Sequence, residues 1–291
     1  MNKKGAHDLL ADGSIAADER LARVIGAGGI PASVLLRFAC DCAARALDGE
    51  REARREPEAS SCEAIRRVQQ WIEGSWPWKP APEEDKPSPN GFFGSIALAD
   101  AMLKRNLAPA RVLADVGAEA RRAVEAWDAR APRAAAEAAA IVAEAAAEMA
   151  AAEADAEHEW KAEEMWTDVE LDAAMQAAAS RGPGAWAAKS ELDAGAIATR
   201  LVQRRQAAAS RAAIEVSRLA AVRAAEDVAA SIPEETAPGG FTSWLRSLWT
   251  PRTPPADSAA ARTRAEQAHS EEHAWQIAHL SALLRQDDPE S

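Results

Sequence analysis

Residues 134–172 read AAAEAAAIVAEAAAEMAAAEADAEHEWKAEEMWTDVELD, and this stretch decides the fold class. Alanine is the best helix former, because it loses no side-chain entropy on entering a helix. The alanine-rich pattern spans about 133–180, with larger apolar groups at Ile141, Met149, Trp160 and Trp166, and meets an emphatic turn at Arg181-Gly182-Pro183-Gly184. A second long helical pattern, about 185–231, carries Trp186, Leu192, Ile197, Leu201, Ile214, Leu219 and Val222. The expectation is an all-α, multi-helix bundle with a long antiparallel helical hairpin turning near Gly182-Pro183-Gly184.

Charge divides the two arms of that hairpin. From Ala134 to Asp172 there are 12 acidic residues and one basic residue, Lys161, so this segment carries -11 of the net charge of -12. From Arg200 to Arg223 there are six arginines against one acid, Glu215. With the hairpin centred near Pro183, facing residues have numbers that sum to roughly 366, which sets Glu148 against Arg218 and Glu144 against Arg223. The same register sets Asp155 against Arg211, and Glu163 and Glu164 against Arg204 and Arg205. One reading is that the stripes specify register and neighbour choice inside the molecule. The other starts from the surplus, since six arginines do not neutralise twelve acids. It makes Glu153, Asp155, Glu157, Glu159, Glu163 and Glu164 a face that steers a basic protein partner.

Working outward, shorter helices are expected on the N-terminal side, over about 15–27, 31–56 and 59–73. Ser14 is a candidate N-cap, Gly28-Gly29 a stop and Pro31 a first-turn residue. Leu35, Phe38, Cys42 and Ala46 form one apolar stripe, and Ile65, Val68 and Ile72 another with Trp71 beside it. Residues 75–91 hold five prolines and two tryptophans and read as a loop. Further helices are expected over about 95–105 and from Pro109. In the latter, Leu113, Val116, Ala120, Ala123 and Trp127 make a bundle seam. An irregular stretch at 232–257 encloses a short amphipathic piece, 242–249, and a last helix covers about 258–285. The whole reads as a single domain, 1–291, with segments 14–74, 75–91, 92–231, 232–257 and 258–286.

The core implied by composition is unusual. Of 291 residues 75 are alanine and only 19 leucine, so the apolar content is mostly methyl groups. Close helix packing with a few large anchors is expected, since burial energy scales with area. Ten tryptophans and four phenylalanines suit that role. Trp71, Trp127, Trp160, Trp186 and Trp275 lie within helical patterns. Trp76, Trp78, Trp244 and Trp249 flank the irregular segments and are candidate partner contacts, tryptophan being enriched in interface hot spots. An acidic chain with a pI near 5.0 argues against nucleic acid as partner. The odd set Cys40, Cys42 and Cys62 fits reduced thiols. No signal peptide or membrane span is legible, which leaves the cytoplasm as the expected location.

Catalytic signatures are weak. His269-Ser-Glu-Glu272-His273 fits H-x-x-E-H, but only 18 residues follow to supply a third zinc ligand. Glu266-Gln-Ala-His269 is one E-x-x-H match and Asp155-Ala-Glu-His158 an acidic near-match, where a di-metal bundle wants two. No P-loop, dinucleotide fingerprint or nucleophile elbow appears. No enzyme activity, cofactor or metal is therefore expected.

Leu35-Leu36-Arg37-Phe38-Ala39-Cys40-Asp41-Cys42-Ala43-Ala44-Arg45, followed by Ala64-Ile65 and Trp71-Ile72-Glu73-Gly74, resembles the opening of a known family. So does the end, Glu272-His273-Ala274-Trp275-Gln276-Ile277-Ala278-His279-Leu280 with Leu283 and Leu284. The chain is similar to the alanine-rich, all-helical immunity proteins of bacterial polymorphic-toxin systems. The match covers about 60 residues at the two ends, and the stretches at 75–91 and 232–257 stand as insertions. The resemblance implies a protein that binds and neutralises a cognate toxin without chemistry, and a basic toxin domain would complement the acidic face. It transfers no site residues. The alternative expectation is a structural or scaffolding helical protein that self-associates as a homo-oligomer.

Overall fold

The computed structural model describes the backbone of residues 3–53, 56–75, 108–126, 134–177, 184–230 and 259–287. It describes side chains over 5–53, 56–75, 108–125, 134–156, 196–226 and 262–287. Among the described residues there are eight helices and no strand: α1 (Lys3–Ala11), α2 (Ala17–Gly26), α3 (Ala32–Glu52), α4 (Ala59–Ile72), α5 (Ala108–Ala126), α6 (Ala134–Ala177), α7 (Gly184–Ala230) and α8 (Ala259–Gln286). The expected all-α bundle is what the chain forms. No described helix is long and apolar enough to cross a membrane. The helices expected over 95–105 and 242–249, the loop at 75–91 and Trp127 lie outside the described residues.

Helix α6 is the axis of the molecule. Helices α3, α4, α5 and α7 all pack on it. Between Ala134 and Ala156 it is buried on almost every side: Ala138, Ala139, Ala140, Val142, Ala143 and Ala146 are fully inaccessible, and Met149 nearly so. A helix surrounded in this way must be thin, because each extra methylene pushes a neighbour outward. Alanine supplies that thinness without the helix-breaking cost of glycine. Helix α7 answers with Ala208, Ala209, Ala212, Ala213, Val216 and Ala221, all buried. Of the larger apolar side chains expected along this hairpin, Met149 and Ile197 are buried, while Ile141, Ile214 and Leu219 are only partly buried. Large groups fill the N-terminal side, where Leu21, Ile25, Leu35, Leu36 and Phe38 are buried.

The α5 seam is rotated from the expected one. Leu113 and Ala120 are inside as expected, but Val116 and Ala123 are only partly buried, and Ala110, Gly117 and Val124 complete the buried row. Gly117 is the reason. A Cβ there would stand 3.3 Å from the Ala143 Cβ, so α5 and α6 are in close contact at this point.

Three local details at the N-terminus also differ. Helix α1 was not expected; Ala6 and Leu10 bury it against the core, and Arg20 Nη1 donates to the Leu10 carbonyl at 2.6 Å. Ser14 is not an N-cap, because its amide and hydroxyl both donate to Asp12 Oδ1, at 2.9 and 2.6 Å. Ala16 stands at the N-cap of α2 with no side-chain bond. The stop signals act as expected. Gly28 and Gly29 have φ of 70° and 93°, and Gly74 at 65° lets Ser75 N–H reach back to the Gln70 carbonyl at 3.0 Å and close α4.

The hairpin register corrects the pairing read from charge. Glu148 Oε2 takes Arg211 at 2.5 Å, Glu153 takes Arg205 at 3.0 Å and Asp155 takes Arg204 at 2.9 Å. Residue numbers in these pairs add to 358 or 359, so the pairing is centred on number 179 or 180 and not on 183. The difference is one heptad, which returns nearly the same helix face. The displaced partners go elsewhere. Glu144 accepts from Arg121 of α5 at 3.0 and 2.9 Å. Arg223 turns inward onto Glu50 of α3, and both side chains are almost wholly buried.

Candidate functional site

Residues 35–45 of α3 and 272–280 of α8, more than 220 residues apart, are brought together where these two helices pack. On α3, Asp41 and Arg45 are one turn apart and outward of the buried Cys42 and Ala46. On α8, Glu272, Gln276 and Leu280 face the bundle, while Trp275 and His279 lie at the edge of the buried surface. His279 Nε2 donates to Asp41 Oδ2 at 2.8 Å, and Arg45 Nε donates to Glu272 Oε2 at 2.9 Å.

The aromatic groups form a ladder across this seam. The Arg45 guanidinium lies 4.5 Å from the Trp275 ring centroid. Trp275 stacks on His279 at 4.8 Å and 9°, and His279 stands 6.3 Å from buried Phe38 at 27°. Such contacts contribute about 0.5–1.5 kcal/mol each beyond area burial. Arg45 is about half exposed and His279 about a quarter, so the outer end of the ladder is open to a partner.

Behind it runs a buried polar chain. Gln276, wholly buried, donates through Nε2 to the Ser217 carbonyl of α7 at 2.9 Å and to Glu272 Oε1 at 3.4 Å. Its Oε1 therefore accepts, and His273 Nδ1 is the donor at 2.9 Å. Burial, and then the neighbouring His269, hold the His273 imidazole below the ordinary histidine range. The two histidine rings meet edge to face at 4.6 Å. The H-x-x-E-H residues are thus drawn into packing: Glu272 is held by Arg45 and Gln276, and His273 by Gln276. Among the described residues no group of three or more His, Cys, Asp or Glu is placed to hold a metal.

The chemistry open to this seam is recognition and proton holding. Cys40 and Cys42 lie inside the core, and burial raises both thiols well above the ordinary range, so neither offers a thiolate. Cys62 is part-exposed, with Arg51 Nη2 at 3.4 Å from its sulfur.

Of the acidic residues singled out in the sequence, Glu153 and Asp155 are bound by Arg205 and Arg204. Burial pushes the Glu153 carboxyl up, against the pull of Arg205. All five acids of α6 between Ala134 and Ala156, namely Glu137, Glu144, Glu148, Glu153 and Asp155, have an arginine within 3.7 Å. The side chains of Glu157, Glu159, Glu163 and Glu164 lie outside the described residues, as do Trp76, Trp78, Trp244 and Trp249. The seam residues Asp41, Arg45, Trp275 and His279 were not picked out as a site. The available signal was the matched one-turn spacing on two distant helices. No protein-family model, no curated protein and no solved structure matches this chain.

Proposed function

We propose that the chain is a non-enzymatic immunity protein that binds and neutralises a cognate bacterial toxin. One observation carries the reading: the two end segments that resemble the immunity family fold against each other along α3 and α8, joined by Asp41–His279 and Arg45–Glu272. Their contact along α3 and α8 lets the two stretches present one continuous surface to a partner. The exposed end of the ladder offers Arg45 and Trp275, residue types enriched in binding hot spots.

The acidic contact surface belongs to this proposal in a narrower form. Because Glu153 and Asp155 are already engaged by arginines, a basic partner would be met by the distal acids of α6, from Glu157 onward. The test is a search of the neighbouring genes for a toxin-like domain, followed by co-expression of that domain with this chain. Growth arrest by the toxin alone should be relieved by the wild-type chain, and relief should be lost in the Trp275→Ala, Arg45→Ala double variant. Unrelieved arrest with the wild-type chain would overturn the proposal.

A further inference from the structure

We propose that His269 and His273 of α8 chelate one divalent transition-metal ion of the nickel and copper class, with water completing its shell. The two residues stand four apart on one helix and therefore share a face. Their ring centroids are 4.6 Å apart. With metal–nitrogen bonds of about 2.0–2.1 Å, each imidazole centroid lies about 3.2 Å from a shared ion. Two centroids at that radius, 4.6 Å from each other, subtend about 90° at the ion. That is the angle between neighbouring positions of the tetragonal shell preferred by Cu(II) and Ni(II), and it is narrower than a tetrahedral site asks. His269 is part-exposed, and no hydrogen bond holds its ring among the described residues, so it is free to turn its lone pair onto the ion.

The surroundings of His273 suit a ligand. Its Nδ1–H donates to Gln276 Oε1 at 2.9 Å, which leaves the lone pair on Nε2. Gln276 is fixed in turn by the Ser217 carbonyl of α7 at 2.9 Å. A histidine that donates its other N–H to a fixed acceptor is both oriented and made more basic toward a metal. Nε2 bonds to nothing among the described residues, and it is not one of the side-chain atoms shut off from solvent there. The carboxylates of Asp18 on α2 and Glu272 act on the same ring with a field that favours a cation. Glu272 does not ligate, because Arg45 and Gln276 hold it. Among the described residues no third His, Cys, Asp or Glu joins the pair, so the remaining positions belong to water.

The probe is Ni(II) alone, added to the full chain at pH 7.5 in a non-coordinating buffer and followed by isothermal titration calorimetry and by proton NMR of the imidazoles. One ion per chain should bind, and at one equivalent the His269 and His273 ring signals should broaden or shift together ahead of those of His7, His158 and His279. His269→Gln, at the part-exposed ligand, should weaken binding by about tenfold or more, while His7→Gln leaves it unchanged. Unchanged affinity in His269→Gln would overturn the proposal, as would no binding up to about 1 mM. A response confined to one of the two rings would overturn it too, and that readout needs only the wild-type chain.

Discussion

Replacing Glu50 by alanine removes a carboxylate bonded to one of the most deeply placed charges among the described residues. Glu50 of α3 and Arg223 of α7 have side-chain exposures of 5% and 2%, so neither has recourse to bulk water when its partner is removed. Breaking such a pair from one side costs about 3–5 kcal/mol, because the remaining ion keeps its desolvation penalty and loses the charged bond that offsets it. Replacing both ions by apolar groups of similar length removes the penalty as well, so Glu50→Leu with Arg223→Met should lie near wild type or above it. For a chain of this size a urea slope of about 3 kcal/mol per molar is expected, and the single variant should lower the midpoint by about 1–1.5 M. The assay is urea unfolding followed in parallel by far-UV circular dichroism and tryptophan fluorescence, with coincident curves as the check on two-state behaviour. A Glu50→Ala midpoint within about 0.2 M of wild type would refute the reasoning, since it would mean that Arg223 finds solvent without unfolding. A double variant as unstable as the single would refute it too, by showing that packing and not charge sets the cost.

The other expectations are simpler to state. Gly117→Leu should destabilise by about 1–3 kcal/mol or more, measured in the same urea assay, because a side chain there runs into Ala143 of α6. In native protein near pH 8 a thiol reagent should titrate Cys62 quickly, with Cys40 and Cys42 reacting only in denaturant. Those two thiols are raised in the fold, so their contribution is present below the unfolded pKa, about 8.5, and is lost as pH climbs above it; chemical stability should therefore fall in alkali. A double-mutant cycle should give Glu148 a coupling of about 0.2–1 kcal/mol with Arg211 and none with Arg218, which distinguishes the observed register from its heptad neighbour.

Much of the fold was legible because periodicity and helix stops are local. Pro31, Gly28-Gly29 and Gly74 punctuate the chain where the backbone needs them, and the stripe Leu35, Phe38, Cys42 and Ala46 is buried as its spacing requires. What local pattern missed was set by neighbours. Helix α1 has a short apolar row that becomes persuasive only against the rest of the core. Gly117 reads as a weak point in a helix until Ala143 is known to lie against it. The predominance of alanine among the buried residues of α7 also has a non-local cause. With α2, α3, α6 and α8 all around α7, the closest contacts go to the smallest side chains.

The hairpin shows why charge alone does not fix register. A slip of one heptad keeps both stripes facing each other, so Glu148 meets an arginine whether its partner is Arg211 or Arg218. Exposed pairs worth a few tenths of a kcal/mol each discriminate poorly between two such arrangements. A buried contact does the discriminating instead. The deep pair Glu50–Arg223 admits one placement of α7 on α3, since a slip of two turns would carry a buried guanidinium away from the only carboxylate α3 buries among its described residues. Helix α8 is fixed through the same contact. Gln276 bonds the Ser217 carbonyl, less than two turns from Arg223, while Arg45 and Asp41 grip Glu272 and His279 from α3. The register of the long hairpin therefore determines whether the α3–α8 seam can assemble. The site was illegible in the sequence for that reason: its residues are ordinary in their own helices, and become a site only once a distant hairpin has chosen its heptad.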